Sequence, residues 1–92
     1  MSRNAEYLRR KNRRKSLRRV GWSVEQYEAV YATQDGCCAI CGTWKRVLQA
    51  DHNHTTGAPR GLLCHLCNRG LGFFRDSVAI CHKAAVYLGS VR

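Results

Sequence analysis

Cys38-Ala39-Ile40-Cys41 and, further on, Cys64-His65-Leu66-Cys67-Asn68 bracket a segment whose middle reads Asp51-His52-Asn53-His54. Two Cys-x2-Cys pairs with 22 residues between them have the spacing of a four-thiolate zinc site, each pair forming one knuckle of a tetrahedron. Reading these cysteines as redox or reactive thiols leaves the matched spacing unexplained. Cys37 adjoins Cys38, but only Cys38 stands at the x2 spacing that the second pair repeats. Between the knuckles, residues 46–50 read as a short strand that delivers Asp51 and His52. Turn formers fill 53–59, and residues 60–63 read as the return strand of an antiparallel hairpin that runs into the second knuckle.

Outward from this centre the chain reads as helices. Ser23-Val24-Glu25-Gln26 fits a capping box, which predicts a helix over 24–34 with Tyr27, Val30 and Tyr31 on one face and Gly36 at its C-terminal cap. A helix weakened by Gly70 and Gly72 is expected over 68–74. Asp76 or Ser77 caps a last helix with Val78, Cys81, Ala85 and Leu88 on one face and Gly89 at its end. Cys81 reads as core, Trp22, Trp44, Phe73 and Phe74 as filler of a small core, and His65 and His82 as surface residues. The sum is a small α+β zinc-stabilised domain.

Ninety-two residues allow one domain, and one this small buries too little apolar surface to be stable without a disulfide, a metal or a partner. Six cysteines would suit a secreted disulfide framework, but residues 1–20 contain no apolar stretch of the export type, so a reducing, cytoplasmic setting is expected. No apolar run is long enough to cross a bilayer, and no membrane partner is expected. The formal charge is +10, and residues 1–20 hold nine basic residues against one acid, Glu6. So dense a block repels itself until a polyanion arrives, and nucleic acid is the polyanion whose condensed counterions such a block releases. A solubilising tail or an organellar presequence is the alternative. The expected division is an arm over 1–20, disordered or helical only on DNA, and a zinc-bound domain over 21–92. Candidate phosphate contacts are Arg9, Arg10, Arg13, Arg14, Arg18 and Arg19 in the arm, with Arg60, Arg69 and Arg75 around the central residues.

A shared zinc would tie the base of the hairpin to the helix that Asn68 begins, bringing Asp51 to face Asn68. A carboxylate and an amide oxygen are hard ligands suited to Mg²⁺ or Mn²⁺, with coordination positions left for water and phosphate. His52 follows Asp51 directly, so on an extended backbone it leaves on the opposite side and addresses a phosphate from there. An imidazole titrates near neutrality and accepts a proton from an attacking water. His54 shares the side of His52 and is expected to touch phosphate or support that base.

The strings Cys38-Ala-Ile-Cys41-Gly, Asp51-His-Asn-His54-Thr-Thr-Gly57, Arg60-Gly-Leu-Leu-Cys64 and Cys67-Asn68-Arg-Gly-Leu-Gly72 together resemble the recombination endonuclease VII family of phage HNH nucleases. Gly21-Trp-Ser-Val-Glu-Gln-Tyr27 is similar to that family's lead-in helix, so the likeness runs from about residue 21 to residue 76. The resemblance implies a ββα-metal (HNH, His-Me finger) fold with a lead-in helix and a short C-terminal helix. It implies structural zinc on Cys38, Cys41, Cys64 and Cys67, a catalytic Mg²⁺ or Mn²⁺ on Asp51 and Asn68, and His52 as general base. DNA would be cut to 5′-phosphate and 3′-hydroxyl ends in the cytoplasm of a bacterial host, with no small-molecule substrate. Two positions depart from the pattern: Asn53 stands where many members have Asp, and Leu71 where some have Glu. Junction-resolving members carry long interlocking helices after the catalytic helix, whereas this chain has room for about one short helix before Arg92. A monomer that nicks or cuts duplex DNA with little sequence preference is therefore expected over a junction resolvase. The competing classes are a non-catalytic zinc-ribbon module and a small ribosome-associated RNA-binding protein. Neither has a use for the Asp51, His52 and Asn68 set.

Overall fold

The structure is a computed structural model in which residues 13–90 are described. Arg9 and Arg10, with the rest of the arm up to residue 12, lie outside the described residues. In chain order the elements are α1 (residues 13–19), α2 (Val24–Thr33), β1 (Gln49–His52), β2 (Pro59–Leu63), α3 (His65–Phe73) and α4 (Val78–Ser90). β1 and β2 form a two-stranded antiparallel hairpin, and α3 follows directly.

α2 starts on the predicted capping box. Ser23 Oγ accepts from the Gln26 N–H at 3.0 Å, and Gln26 Oε1 accepts from the Ser23 N–H at 2.8 Å. It ends in a Schellman motif: the Asp35 N–H bonds to the Ala32 carbonyl and the Gly36 N–H to the Tyr31 carbonyl, with φ of 53° and 70° at Asp35 and Gly36. Glycine is required at 36 for a second reason, since a Cβ there would lie 2.6 Å from Trp44 Nε1. α3 ends the same way, through Arg75 to Gly72 and Asp76 to Leu71, but both left-handed positions are non-glycine, with φ of 58° at Arg75 and at Asp76. A left-handed non-glycine residue costs roughly 1–2 kcal/mol, least for Asp and Asn. Something must hold Asp76 there.

The core is Leu17, Trp22, Tyr27, Cys38, Leu48, Leu62, Leu63 and Cys64, so two of the four knuckle cysteines are core residues and the cysteine cluster abuts the apolar centre. Three side chains stitch loops to it. The Tyr27 hydroxyl donates to the Leu48 carbonyl and accepts from the Leu48 N–H. Gln34 bonds both backbone groups of Leu62 as a neighbouring strand would, and the Trp22 indole donates to the Asp51 carbonyl at 3.0 Å.

Several expectations shift. Leu17 is 6% exposed and belongs to the core, and residues 13–19 are helical, while the rest of the expected arm lies outside the described residues. β1 starts at Gln49 and carries through His52, while residues 46 and 47 bend. α3 starts at His65 because Cys64 caps it, its Sγ accepting from the Cys67 N–H. The second knuckle is therefore the first turn of the helix. Ser77 caps α4 through the Ile80 N–H. The face expected to be buried on α4 is not: Val78 is 85% and Leu88 73% exposed, and Cys81 is only partly covered. Trp44 and Phe73 are exposed as well, which leaves Trp22 as the aromatic of that group in the core.

Candidate functional site

The Sγ atoms of Cys38, Cys41, Cys64 and Cys67 lie within 4.8 Å of one another, Cys41 and Cys64 at 3.8 Å. Four Zn–S bonds of about 2.3 Å impose roughly 3.8 Å edges on a tetrahedron, so the cluster has the dimensions of a closed zinc site. The first knuckle is shaped by the Cys38 N–H bonding to the Thr43 carbonyl and the Gly42 N–H bonding to the Cys38 carbonyl. Backbone N–H groups of Ile40 and Cys67 point at the sulfurs of Cys38 and Cys64, each at 3.4 Å. Burial raises the Cys38 thiol, but backbone N–H groups of Cys64, Cys41 and Ile40 outweigh it and bring it down to about 6. Burial and the neighbouring Cys64, Cys38 and Cys41 sulfurs push Cys67 up to about 12. One thiolate forms readily and discourages the last, so a metal that needs all four must release protons on binding. Among the described residues this is the one group of three or more His, Cys, Asp or Glu side chains whose ligand atoms converge.

Beside it, β1 carries Asp51, a buried charged side chain at 7% exposure. The hairpin register explains its partner. Ala50 pairs with Leu62 but His52 pairs with Pro59, so two steps on β1 face three on β2. The extra residue is a bulge, a device that turns a side chain out of the regular alternation. It places Arg60 on Asp51: Nε donates to Oδ2 at 2.6 Å and Nη2 to Oδ1 at 3.1 Å. The same guanidinium grips Asp76, Nη2 to Oδ1 at 2.8 Å and Nη1 to Oδ2 at 3.0 Å. The hydrogen bonds that Arg60 donates to Asp51 and then to Asp76 raise its pKa, and Arg60 in turn holds the Asp76 carboxyl below the usual carboxylate range. His54 Nδ1 lies 3.6 Å from Asp76 Oδ2, and the His52 and His54 rings meet edge to face with centroids 4.6 Å apart.

Asn68, in the second turn of α3, is committed elsewhere. Its Nδ2 donates to Gln49 Oε1 at 2.7 Å, Gln49 Nε2 meets His65 Nδ1 at 3.2 Å, and His65 Nε2 meets Arg69 at 3.4 Å. With its NH₂ donating to Gln49, Asn68 has Oδ1 left as the group that it offers to a ligand. No hydrogen bond joins Asp51 to Asn68 among the described residues. The two halves share β1, which carries Gln49 in one and Asp51 and His52 in the other. Asn53 has a structural task, its Oδ1 accepting from the Thr55 and Thr56 N–H groups to close the hairpin loop. Leu71 packs against the core. Arg13 stacks over Tyr27, and Arg13 and Asn68 line one cleft between α1 and β1. Sequence reasoning passed over Gln49 and gave Asp76 only a capping role. For Gln49 a signal existed, because residues two apart on a strand leave on one side and Gln49 precedes Asp51 by two. Asp76 had none, since its role depends on the bulge.

A β-hairpin and helix tied by a four-cysteine cluster, with Asp-His at the end of the first strand and Asn on the helix, define an HNH-like zinc-knuckle domain. The family follows from comparison: residues 12–90 match the model of recombination endonuclease VII, and the chain belongs to that family. It is similar to the Gene 59 protein of Mycobacterium phage D29, 44% identical over 77 residues that cover 78% of this chain and 46% of the relative. It is also similar to the Gene 59 protein of Mycobacterium phage L5, 42% identical over 77 residues with the same coverage. The chain thus spans about half the length of these relatives. No solved structure gives a significant match. No helix among the described residues is long and apolar enough to cross a membrane.

Proposed function

We propose that this domain is a divalent-metal-dependent DNA endonuclease that nicks or cuts duplex DNA with little sequence preference. The observation that carries the reading is the buried carboxylate of Asp51, fixed beside His52 and His54 on a strand end. Arg60 compensates the burial of that charge, but a module that only docks on nucleic acid has no use for a histidine pair set beside it. Cys38, Cys41, Cys64 and Cys67 would hold zinc as a scaffold. The Asp51 carboxylate and the Asn68 amide oxygen are a hard donor pair that fits Mg²⁺ or Mn²⁺. When bound, that cation offsets charge on the phosphate and on the departing oxygen.

The residues divide the remaining work. His52 takes the proton of the water whose oxygen attacks phosphorus. The P–O3′ bond breaks, and the leaving 3′ oxygen collects a proton from solvent, giving 5′-phosphate and 3′-hydroxyl ends. His54, oriented by Asp76, packs on the His52 ring and limits its rotation. Arg13 of α1 borders the cleft that reaches Asn68, so a phosphate held at Arg13 places the backbone on a path toward the site.

Supercoiled plasmid incubated with Mg²⁺ or Mn²⁺ tests the reading. The wild type is expected to nick it. His52→Ala should lose on the order of 100-fold or more in rate, and Asp51→Asn a comparable amount, both with zinc content and DNA binding retained. Equal rates in all three proteins, or DNA binding without nicking by the wild type, would overturn it.

A further inference from the structure

Arg60 is a poor candidate for a free phosphate grip, because four of its five N–H groups are already engaged by Asp51 and Asp76. It is equally an obstacle at Asp51. Both oxygens of that carboxylate face the guanidinium at 2.6 and 3.1 Å, so one lone pair of each is engaged and the edge that would chelate a cation is covered. Yet the guanidinium has a second bidentate seat, on Asp76, at 2.8 and 3.0 Å. Asp76 occupies the position in the α3 cap that Gly36 fills in the matching cap of α2, and it adopts the same left-handed backbone. A side chain that the cap itself does not require is thus presented to the Nη1/Nη2 edge of Arg60, while Asp51 takes the Nε/Nη2 edge. The charge balance is also specific. Asp51, Asp76 and Arg60 together carry one negative charge, which becomes two without Arg60 and none without Asp76.

We propose that Arg60 is a gate on Asp51. In the cation-free domain it closes the carboxylate, and Asp76 is the second anchor that keeps the guanidinium beside the site when Asp51 turns to a cation. Arg60 and Asp76 are positioning residues, since both act through Asp51. The gate rests on the reading of Asp51 as a cation ligand. It adds a competition inside the protein that sets how tightly the cation is held. Because His54 Nδ1 lies 3.6 Å from the Asp76 Oδ2 that Arg60 also uses, the gate and the histidine pair share one anchor.

The test is Mn²⁺ affinity of the full zinc-loaded chain, read from the free-Mn²⁺ electron paramagnetic resonance signal without DNA. Arg60→Gln is expected to bind Mn²⁺ on the order of tenfold tighter than wild type, since a positive charge in contact with the ligand is removed. Asp76→Asn is expected to bind several-fold more weakly, because the guanidinium then rests on Asp51 alone. Arg60→Lys, which keeps the charge but cannot grip two carboxylates at once, should fall between wild type and Arg60→Gln. Zinc stoichiometry and thermal melting of each variant verify the fold. Charge alone would also shift Arg60→Gln and Asp76→Asn in opposite directions, so Arg60→Lys decides: an affinity equal to wild type there, or equal shifts of Arg60→Gln and Asp76→Asn, overturns the gate. If Asp51→Asn loses Mn²⁺ while these variants match wild type, the gate alone fails. If Asp51→Asn binds as well as wild type, the ligand reading fails and the gate with it.

Discussion

Tyr27 shows how much one hydroxyl does in a domain of this size. Its oxygen is the partner of both the N–H and the carbonyl of Leu48, a residue 2% exposed just ahead of β1. Tyr27→Phe would strand two buried backbone groups and is expected to cost about 1–3 kcal/mol in urea unfolding of the zinc-loaded protein. Tyr31→Phe is the control: its hydroxyl makes one exposed bond, to the Lys45 carbonyl, and its loss should cost less than half as much. Neither role was legible in the sequence, where both tyrosines read only as the apolar stripe of a helix. Asn53 was misleading in the opposite way. As a letter it is a missing acid beside the site, but in space its side-chain oxygen closes the loop, a task an aspartate performs equally well.

Among the elements, α1 changes most. Its charges read as a free arm, yet Leu17 enters the core beside Trp22. Leu17→Ala is expected to destabilise the domain by roughly 2–4 kcal/mol, measured by the same urea titration. A single leucine among arginines carries no periodic signal, and only the packing of α2 against the hairpin shows where it goes. The capping box of α2 was legible because its four residues are contiguous and satisfy one another. The start of α3 was not, since cysteine is outside the usual capping residues and the metal knuckle supplies the first turn. Periodicity identified α4 as a helix and assigned it a buried face. It could not supply the surface for that face to meet, and Val78 and Leu88 are open to solvent. The hairpin and both knuckles were readable, because each is a local pattern. The Arg60 bridge was not, because it depends on one unpaired residue between strands.

At the scale of the molecule, charge and site are connected: the cleft bordered by α1 extends to Asn68. Deleting the arm through residue 19 would remove Leu17 along with the charge, so substitution is the cleaner measurement. Arg13, Arg14, Arg18 and Arg19 changed together to Gln should leave zinc content intact and weaken DNA binding. The slope of log affinity against log salt should shrink by about 0.9 for each phosphate that is no longer neutralised, as read by fluorescence anisotropy across a salt series. An unchanged slope would place the DNA path on another face. The bond from the Trp22 indole to the Asp51 carbonyl has a practical consequence as well. The chain has two tryptophans, one at 4% exposure against the site strand and Trp44 at 60%. Iodide silences the outer one, and the remaining emission is an optical reporter wired to the backbone of Asp51.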